Sequence, residues 1–151
     1  MIRDDIKAAL VSAMKARDAT TTAAIRLIQA AIKNRDIEMR TGTAPADDDL
    51  TVTEVLQKMA KQRRESIEMF EKGGRAELAE AEKGELAVIE GFLPRQMDEG
   101  EAKAAIGAIV QELGASSLKD MGRVMAEVKA RHGAALDMSK ASGWVKAVLA
   151  G

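Results

Sequence analysis

The chain has no cysteine and no tyrosine, one histidine, two prolines, and only two phenylalanines and one tryptophan as aromatics. Without cysteine there is no disulfide, no thiolate zinc ligand and no thiol nucleophile, a composition that fits a reducing cytosol. With so few aromatics, packing falls to Leu, Ile, Val, Ala and nine Met, whose flexible thioethers suit irregular gaps between helices. Neither sign of charge dominates: 23 Lys and Arg stand against 24 Asp and Glu. That balance argues against a protein whose main business is coating nucleic acid or an anionic membrane, while leaving room for a local basic face. Charges recur from Arg3 onward too soon for a signal peptide or a membrane span, so the expectation is a soluble cytoplasmic protein.

What is present is helical periodicity. High Ala, Glu, Lys, Arg and Met favours helix nearly throughout, and 151 residues suffice for one ordinary domain or two small ones. Ile2, Ile6, Ala9, Leu10, Ala13 and Met14 form one stripe over residues 2–17. Asp18 to Thr22 break it and offer N-caps to a second helix ending near Arg40. That helix turns Ile25, Ile28, Ala31 and Ile32 inward and carries Arg26, Gln29, Lys33, Asp36 and Arg40 on the opposite face. Residues 41–50 read as an exposed loop. Asp47, Asp48 and Asp49 lack the calcium-loop pattern, so they are expected to support the next helix start through its dipole rather than hold a metal.

The third helix opens on the capping box Thr51-Val52-Thr53-Glu54 and ends at Gly73-Gly74. Its stripe is Val52, Val55, Leu56, Met59, Ile67 and Phe70. Arg63 falls where the stripe calls for an apolar residue, so an internal ion pair is expected there. A fourth helix, from about Arg75 to Phe92, places Leu78, Ala81, Leu86, Ile89 and Phe92 inward. Pro94 stops it by forcing Leu93 out of the α region. Asp98, with Glu101 three residues on, then caps a fifth helix that ends at Gly114. Leu118, Met121, Met125 and Val128 mark a sixth helix ended by His132-Gly133. Asp137 or Ser139 caps a seventh, with Ala141, Val145, Val148 and Leu149 inward. The expected fold is all-α, a four-helix N-terminal part over residues 1–94 and a small three-helix C-terminal part over 95–151.

No phosphate-binding GxxxxGK[ST] loop, dinucleotide GxGxxG or zinc-binding HExxH occurs. The lone His132, at a helix end, has a structural role as its simplest reading. No catalytic residue, metal or cofactor is indicated.

Several stretches nevertheless resemble the YqeY-like family. They are Glu85-Leu86 through Phe92-Leu93-Pro94-Arg95-Gln96-Met97, Ser117-Leu118-Lys119-Asp120-Met121-Gly122-Arg123-Val124-Met125, Ile25-Arg26-Leu27-Ile28-Gln29, Lys61-Gln62-Arg63-Arg64-Glu65, and Gly74-Arg75. The likeness covers nearly the whole chain. It departs at Ala134-Ala135-Leu136, where the family often carries a basic or polar residue before its Asp. That family is related to the tail of GatB, the B subunit of the tRNA-dependent amidotransferase. The resemblance implies an all-α fold and the label of a carbon–nitrogen ligase with glutamine as amido donor. In GatB-like enzymes that chemistry resides in a core ahead of the tail and in a separate glutaminase, so tRNA contact is what the resemblance implies for this chain.

The leading expectation is a non-catalytic module that binds tRNA or a tRNA-handling enzyme, with no membrane or DNA partner. Candidate phosphate contacts are Lys119, Arg123, Lys129, Lys140 and Lys146, joined by Arg26, Lys33 and Arg40. Arg63, Leu93, Pro94 and Gly122 are expected to be structural. The alternatives are a protein–protein interaction module and an accessory component of a glutamine-dependent amidotransferase.

Overall fold

A computed structural model describes residues 1–40 and 47–150. Among these it has seven α-helices and no strand: α1 (Ile2–Lys15), α2 (Ala19–Met39), α3 (Asp48–Lys72), α4 (Ala76–Phe92), α5 (Glu99–Leu113), α6 (Met121–His132) and α7 (Met138–Ala150). The chain divides into two compact units, Met1–Leu93 and Pro94–Gly151. The first contains α1 to α4 and the second α5 to α7.

In the first unit α3 and α4 form a long antiparallel hairpin, with α1 and α2 packed against it. The turn is made by glycines: Gly73 caps α3, and Gly74 takes the left-handed conformation at φ +71 that a side chain would resist. Ile6, Ile25, Ile28, Val52, Leu56 and Ile89 form the dry centre. Burial of this kind contributes about 1.5–3 kcal/mol per large aliphatic side chain.

The Asp triplet is more than a helix start. The third helix begins at Asp48, three residues ahead of the expected capping box, because Asp47 is its N-cap and accepts from the Leu50 amide at 3.2 Å. Asp49 accepts from the Ile2 amide at 3.0 Å. Asp48 receives Arg3 Nη2 at 2.9 Å and Nε at 3.2 Å, and Arg3 also reaches Asp36 at 2.9 and 3.1 Å. This clasp joins the start of α1, the end of α2 and the start of α3. The rest of the expected loop, residues 41–46, lies outside the described residues.

Some expected inward residues are not inward. Met14 is exposed, because the buried stripe of α1 runs through Ile6 and Ala13. On α4 the buried positions are Ala79 and Ile89, while Leu78 and Ala81 are exposed. Residues near the hairpin turn lie outside the core that α1 and α2 cover, so Met69 is exposed there too.

In the second unit α5, α6 and α7 enclose Ala102, Ile106, Ile109, Val124, Val128 and Val145. Asp98 caps α5 by accepting from the Glu101 amide at 2.8 Å, and Gly114 ends it at φ +63. A 3₁₀ turn at Leu118–Asp120 precedes α6 and changes the register. Leu118 is therefore exposed and Val124 takes the central core place. Asp137, rather than Ser139, supplies the cap at the start of α7, and Val148 faces solvent.

The stretch between α4 and α5 shows why its residues stand where they do. Leu93 is extended at φ -73 and ψ 142, as a residue before proline prefers, and packs on the first core. Gln96 Nε2 donates at 2.8 Å to both the Pro94 and Ala134 carbonyls, and the Met97 amide donates to Ala135 at 2.8 Å. The Leu-Pro-x-Gln run thus fastens Pro94–Met97 to the α6–α7 loop. Leu136 in that loop is 1% exposed, so the Ala134-Ala135-Leu136 departure is filled with core contacts and carbonyl acceptors.

Candidate functional site

The eight candidate cations fall into two very different arrangements. Arg26 and Lys33 on α2 and Arg40 at its C-cap recur every seven residues. Seven residues make nearly two turns, so the three side chains form one line with steps of about 10 Å. All three are exposed, and none makes an ion pair with another described residue. Beside the line, a notch of about 160 Å³ between α1 and α2 brings Lys7 and Gln29 next to Lys33. Arg3 and Asp36 also line it, and Arg3 is already bound to Asp36 and Asp48. Those hydrogen bonds push the Arg3 pKa up, led by Asp48, and hold the Asp48 carboxyl below its usual range. Lys7 and Lys33 are the cations left to meet an external anion.

The C-terminal cations do not converge. Arg123 and Lys129 are six residues apart on α6, as are Lys140 and Lys146 on α7. Six residues separate side chains by about 120° around a helix, so neither pair shares a face. Arg123 is engaged by Asp120 at 3.2 Å. Lys140 lies in the field of Glu99, whose carboxyl is held low chiefly by Lys103 at 3.0 Å, with smaller contributions from Trp144 and Lys140. Arg131 is the best-held cation of this unit, bound to Glu112 by two hydrogen bonds of 2.6 and 2.9 Å and to Glu127 at 2.6 Å. Lys119 and Lys146 are exposed on separate elements.

Arg63, with a side chain 19% exposed, places Nε 2.7 Å from Glu85 and 3.2 Å from Glu82, joining α3 to α4. Arg64 adds a more exposed pair with Glu90 at 3.0 Å. On α3, Glu68 and Lys72 pair one turn apart at 2.8 Å. Glu54 reaches Arg35 across the helix pair at 3.6 Å. Gly122 is exposed on α6, and a Cβ there would meet no atom within 4 Å. Neither space nor backbone demands glycine at that place.

Gly133 is the opposite. It is buried, and a Cβ there would sit 2.6 Å from the Lys129 carbonyl oxygen. The sequence marked it only as a helix end. Arg35 was also missed, although it offers the signal that singled out Arg63: a cation three residues beyond Ile32, where the apolar stripe would continue.

Among the described residues no group of three or more His, Asp or Glu could hold a metal ion. His132 is half-buried in the last turn of α6. No described helix is long and apolar enough to cross a membrane.

These features define an all-α protein of two helical units whose Leu-Pro-x-Gln seam is a structural fastening. A family model described as "Yqey-like protein" matches residues 3–149, and the chain belongs to the YqeY-like family. Similar proteins include three named "Altered inheritance of mitochondria protein 41, mitochondrial". That of Eremothecium gossypii is 35% identical over 88 residues, 58% of this chain and 46% of that protein. That of Lachancea thermotolerans is 30% identical over 111 residues, covering 72% and 58%. That of Pyrenophora tritici-repentis is 30% identical over 132 residues, covering 83% and 70%. The chain spans about half the length of the first of these relatives.

Those names overturn the expectation of a cytoplasmic protein, since the relatives are called mitochondrial. The physical basis of that expectation was too coarse. Lack of cysteine speaks to redox chemistry alone and does not separate one reducing compartment from another.

Proposed function

We propose that this protein is a non-catalytic helical module that binds tRNA through the outer face of α2. The observation that carries the reading is the line of Arg26, Lys33 and Arg40, exposed and without ion pairs among the described residues. Lys7 widens it at the α1–α2 notch. The resemblance to the GatB tail supplies tRNA as the polyanion, and the geometry favours α2 over the dispersed C-terminal cations. A near-zero net charge makes the attraction local, so binding depends on a few phosphate contacts and is weak at physiological salt. With little aromatic surface to stack on bases, sequence preference is slight. Any amidotransferase chemistry would be supplied by a partner enzyme to which the module presents tRNA.

Fluorescence anisotropy with bulk tRNA across a salt series tests the reading. The expected result is saturable binding at low salt, with a log–log salt slope of about −3 for three to four neutralised phosphates. Binding that is absent at low salt, or indifferent to salt, overturns it.

A further inference from the structure

We propose that the outer face of α2 carries a coiled-coil seam that docks an acidic amphipathic helix of a partner protein. α2 has two apolar stripes. Ile25, Ile28 and Ile32 form the first and are buried in the core. The second stripe is Ala23, Leu27, Ala30, Asn34 and Ile37, all exposed, with Leu27 and Ile37 each at 46%. Its steps alternate between four and three residues, the spacing by which one helix presents a seam to another. In heptad terms Leu27 and Asn34 are a positions, and Ala23, Ala30 and Ile37 are d positions. The seam runs about 21 Å along the helix, or about two heptads.

Single exposed aliphatic side chains are ordinary on a protein surface. Here they stand in register, on a helix held from behind by α1, α3 and α4. The small Ala23 and Ala30 alternate with Leu27 and Ile37 and let a second helix approach closely. Asn34 makes no hydrogen bond to another described residue. A lone Asn at an a position is the means by which coiled coils fix register at some cost in stability.

The flank of the seam sets the chemistry of the partner. Arg26 and Lys33 stand one residue before Leu27 and Asn34, at g positions, and Arg40 continues their row. None of the three is paired with another described residue. The partner helix therefore carries carboxylates on the edge of its own seam that lies over this row. A second copy of the chain does not supply them. The other flank of its α2 seam is Ala24, Ala31 and Glu38, and Glu38 lies 3.8 Å from Arg35 of its own chain. Antiparallel pairing of two copies would set the basic rows against each other. A helix docked here covers Arg26, Lys33 and Arg40, so it excludes tRNA from the same face. That exclusion rests on the tRNA reading, whereas the docking stands on the seam.

The probe is a synthetic three-heptad peptide with Leu at a and d, Asn at its central a, and Glu at e and g. Its own charges keep it from self-pairing at neutral pH. Labelled with a fluorophore and titrated with the full chain at low salt, it should bind saturably and gain helical circular dichroism. A twin with Lys at e and g should bind at least about tenfold more weakly. Leu27→Ser together with Ile37→Ser should weaken the acidic peptide by about tenfold or more and change tRNA affinity less than about twofold. Both side chains are exposed, so the fold should hold, which circular dichroism checks. Ala30→Gln, which bars close approach, should weaken the peptide in the same way. Unlabelled acidic peptide should displace labelled tRNA. The proposal is overturned by absent binding of the acidic peptide, by equal binding of the Lys twin, or by seam variants that bind like the native chain. It is also overturned if sedimentation shows a native dimer that the seam variants break, which makes a second copy the occupant. Peptide and tRNA bound together without competition would refute the shared use of the face. If tRNA binds and the peptide does not, the docking proposal alone falls; if the peptide binds and tRNA does not, the tRNA reading alone falls.

Discussion

Arg3→Ala would remove a side chain that ties the start of α1 to both α2 and α3. Four hydrogen bonds disappear with it, two to Asp36 and two to Asp48, at 2.9 to 3.2 Å. Charged hydrogen bonds contribute about 1.5–3 kcal/mol each when shielded. Here the Arg3, Asp36 and Asp48 side chains are 29%, 42% and 39% exposed, so solvent screening brings each pair down to roughly 0.5–1 kcal/mol. The substitution also leaves two carboxylates facing each other without their cation. A total loss of about 2 kcal/mol follows, which for a unit of this size lowers the melting temperature by roughly 8–16 °C. Urea and thermal denaturation followed by circular dichroism measure it, and a double-mutant cycle with Asp48→Asn isolates the pair. Arg3 holds Asp48 below the usual 3.8, so the stabilisation is fully present above that unfolded value and is lost as pH falls through the lower folded one. The difference between native and Arg3→Ala chains should be flat from neutral pH to about 5 and shrink below about 4. A loss under about 0.5 kcal/mol, or one that persists unchanged at pH 2.5, would refute the clasp as a stabilising device.

Three further outcomes are expected. Gly133→Ala should destabilise the second unit by roughly 2 kcal/mol, because its Cβ meets the Lys129 carbonyl oxygen at 2.6 Å, whereas Gly122→Ala should be neutral or slightly stabilising. Equal melting temperatures for the two variants would contradict that contrast. Asp98→Ala should cost about 1 kcal/mol through loss of the α5 cap, measurable by urea denaturation, and Asp98→Asn should restore most of it. Arg63→Ala leaves Glu82 and Glu85 half-buried side by side, so a loss of about 2–3 kcal/mol is expected, larger than that of Arg64→Ala on the exposed Glu90 pair. An Arg64→Ala loss as large as the Arg63→Ala loss would show that burial does not set the ranking.

Local signals carried much of the fold. The α5 ends could be read because Asp98 and Gly114 act within one turn of the backbone they cap. The Gly73-Gly74 turn and the Leu93-Pro94 stop are equally local. Burial was read less well, since it depends on which other helix covers a stripe. Leu78 has the right spacing to face inward, yet it lies outside the core covered by α1 and α2. Leu118 was misplaced because a 3₁₀ turn shifted its register against α6. The Arg3 clasp joins residues 33 and 45 positions apart, a separation over which no periodicity speaks. The same division holds for the candidate site. The Arg26, Lys33 and Arg40 line follows from a seven-residue spacing within one helix. The scatter of the C-terminal cations and the neighbouring Lys7 emerge only when helices are set side by side.

The central claim is that the outer face of α2 holds the polyanion. Its most direct test compares two triple-alanine variants in the tRNA anisotropy assay at low salt: Arg26, Lys33 and Arg40 in one, Lys119, Lys140 and Lys146 in the other. All six side chains are exposed, so both variants should keep the fold. The account predicts that the α2 variant loses binding by about 100-fold or more and flattens the salt dependence, while the C-terminal variant changes affinity less than about threefold. The reverse ranking, or equal losses in both, would contradict it.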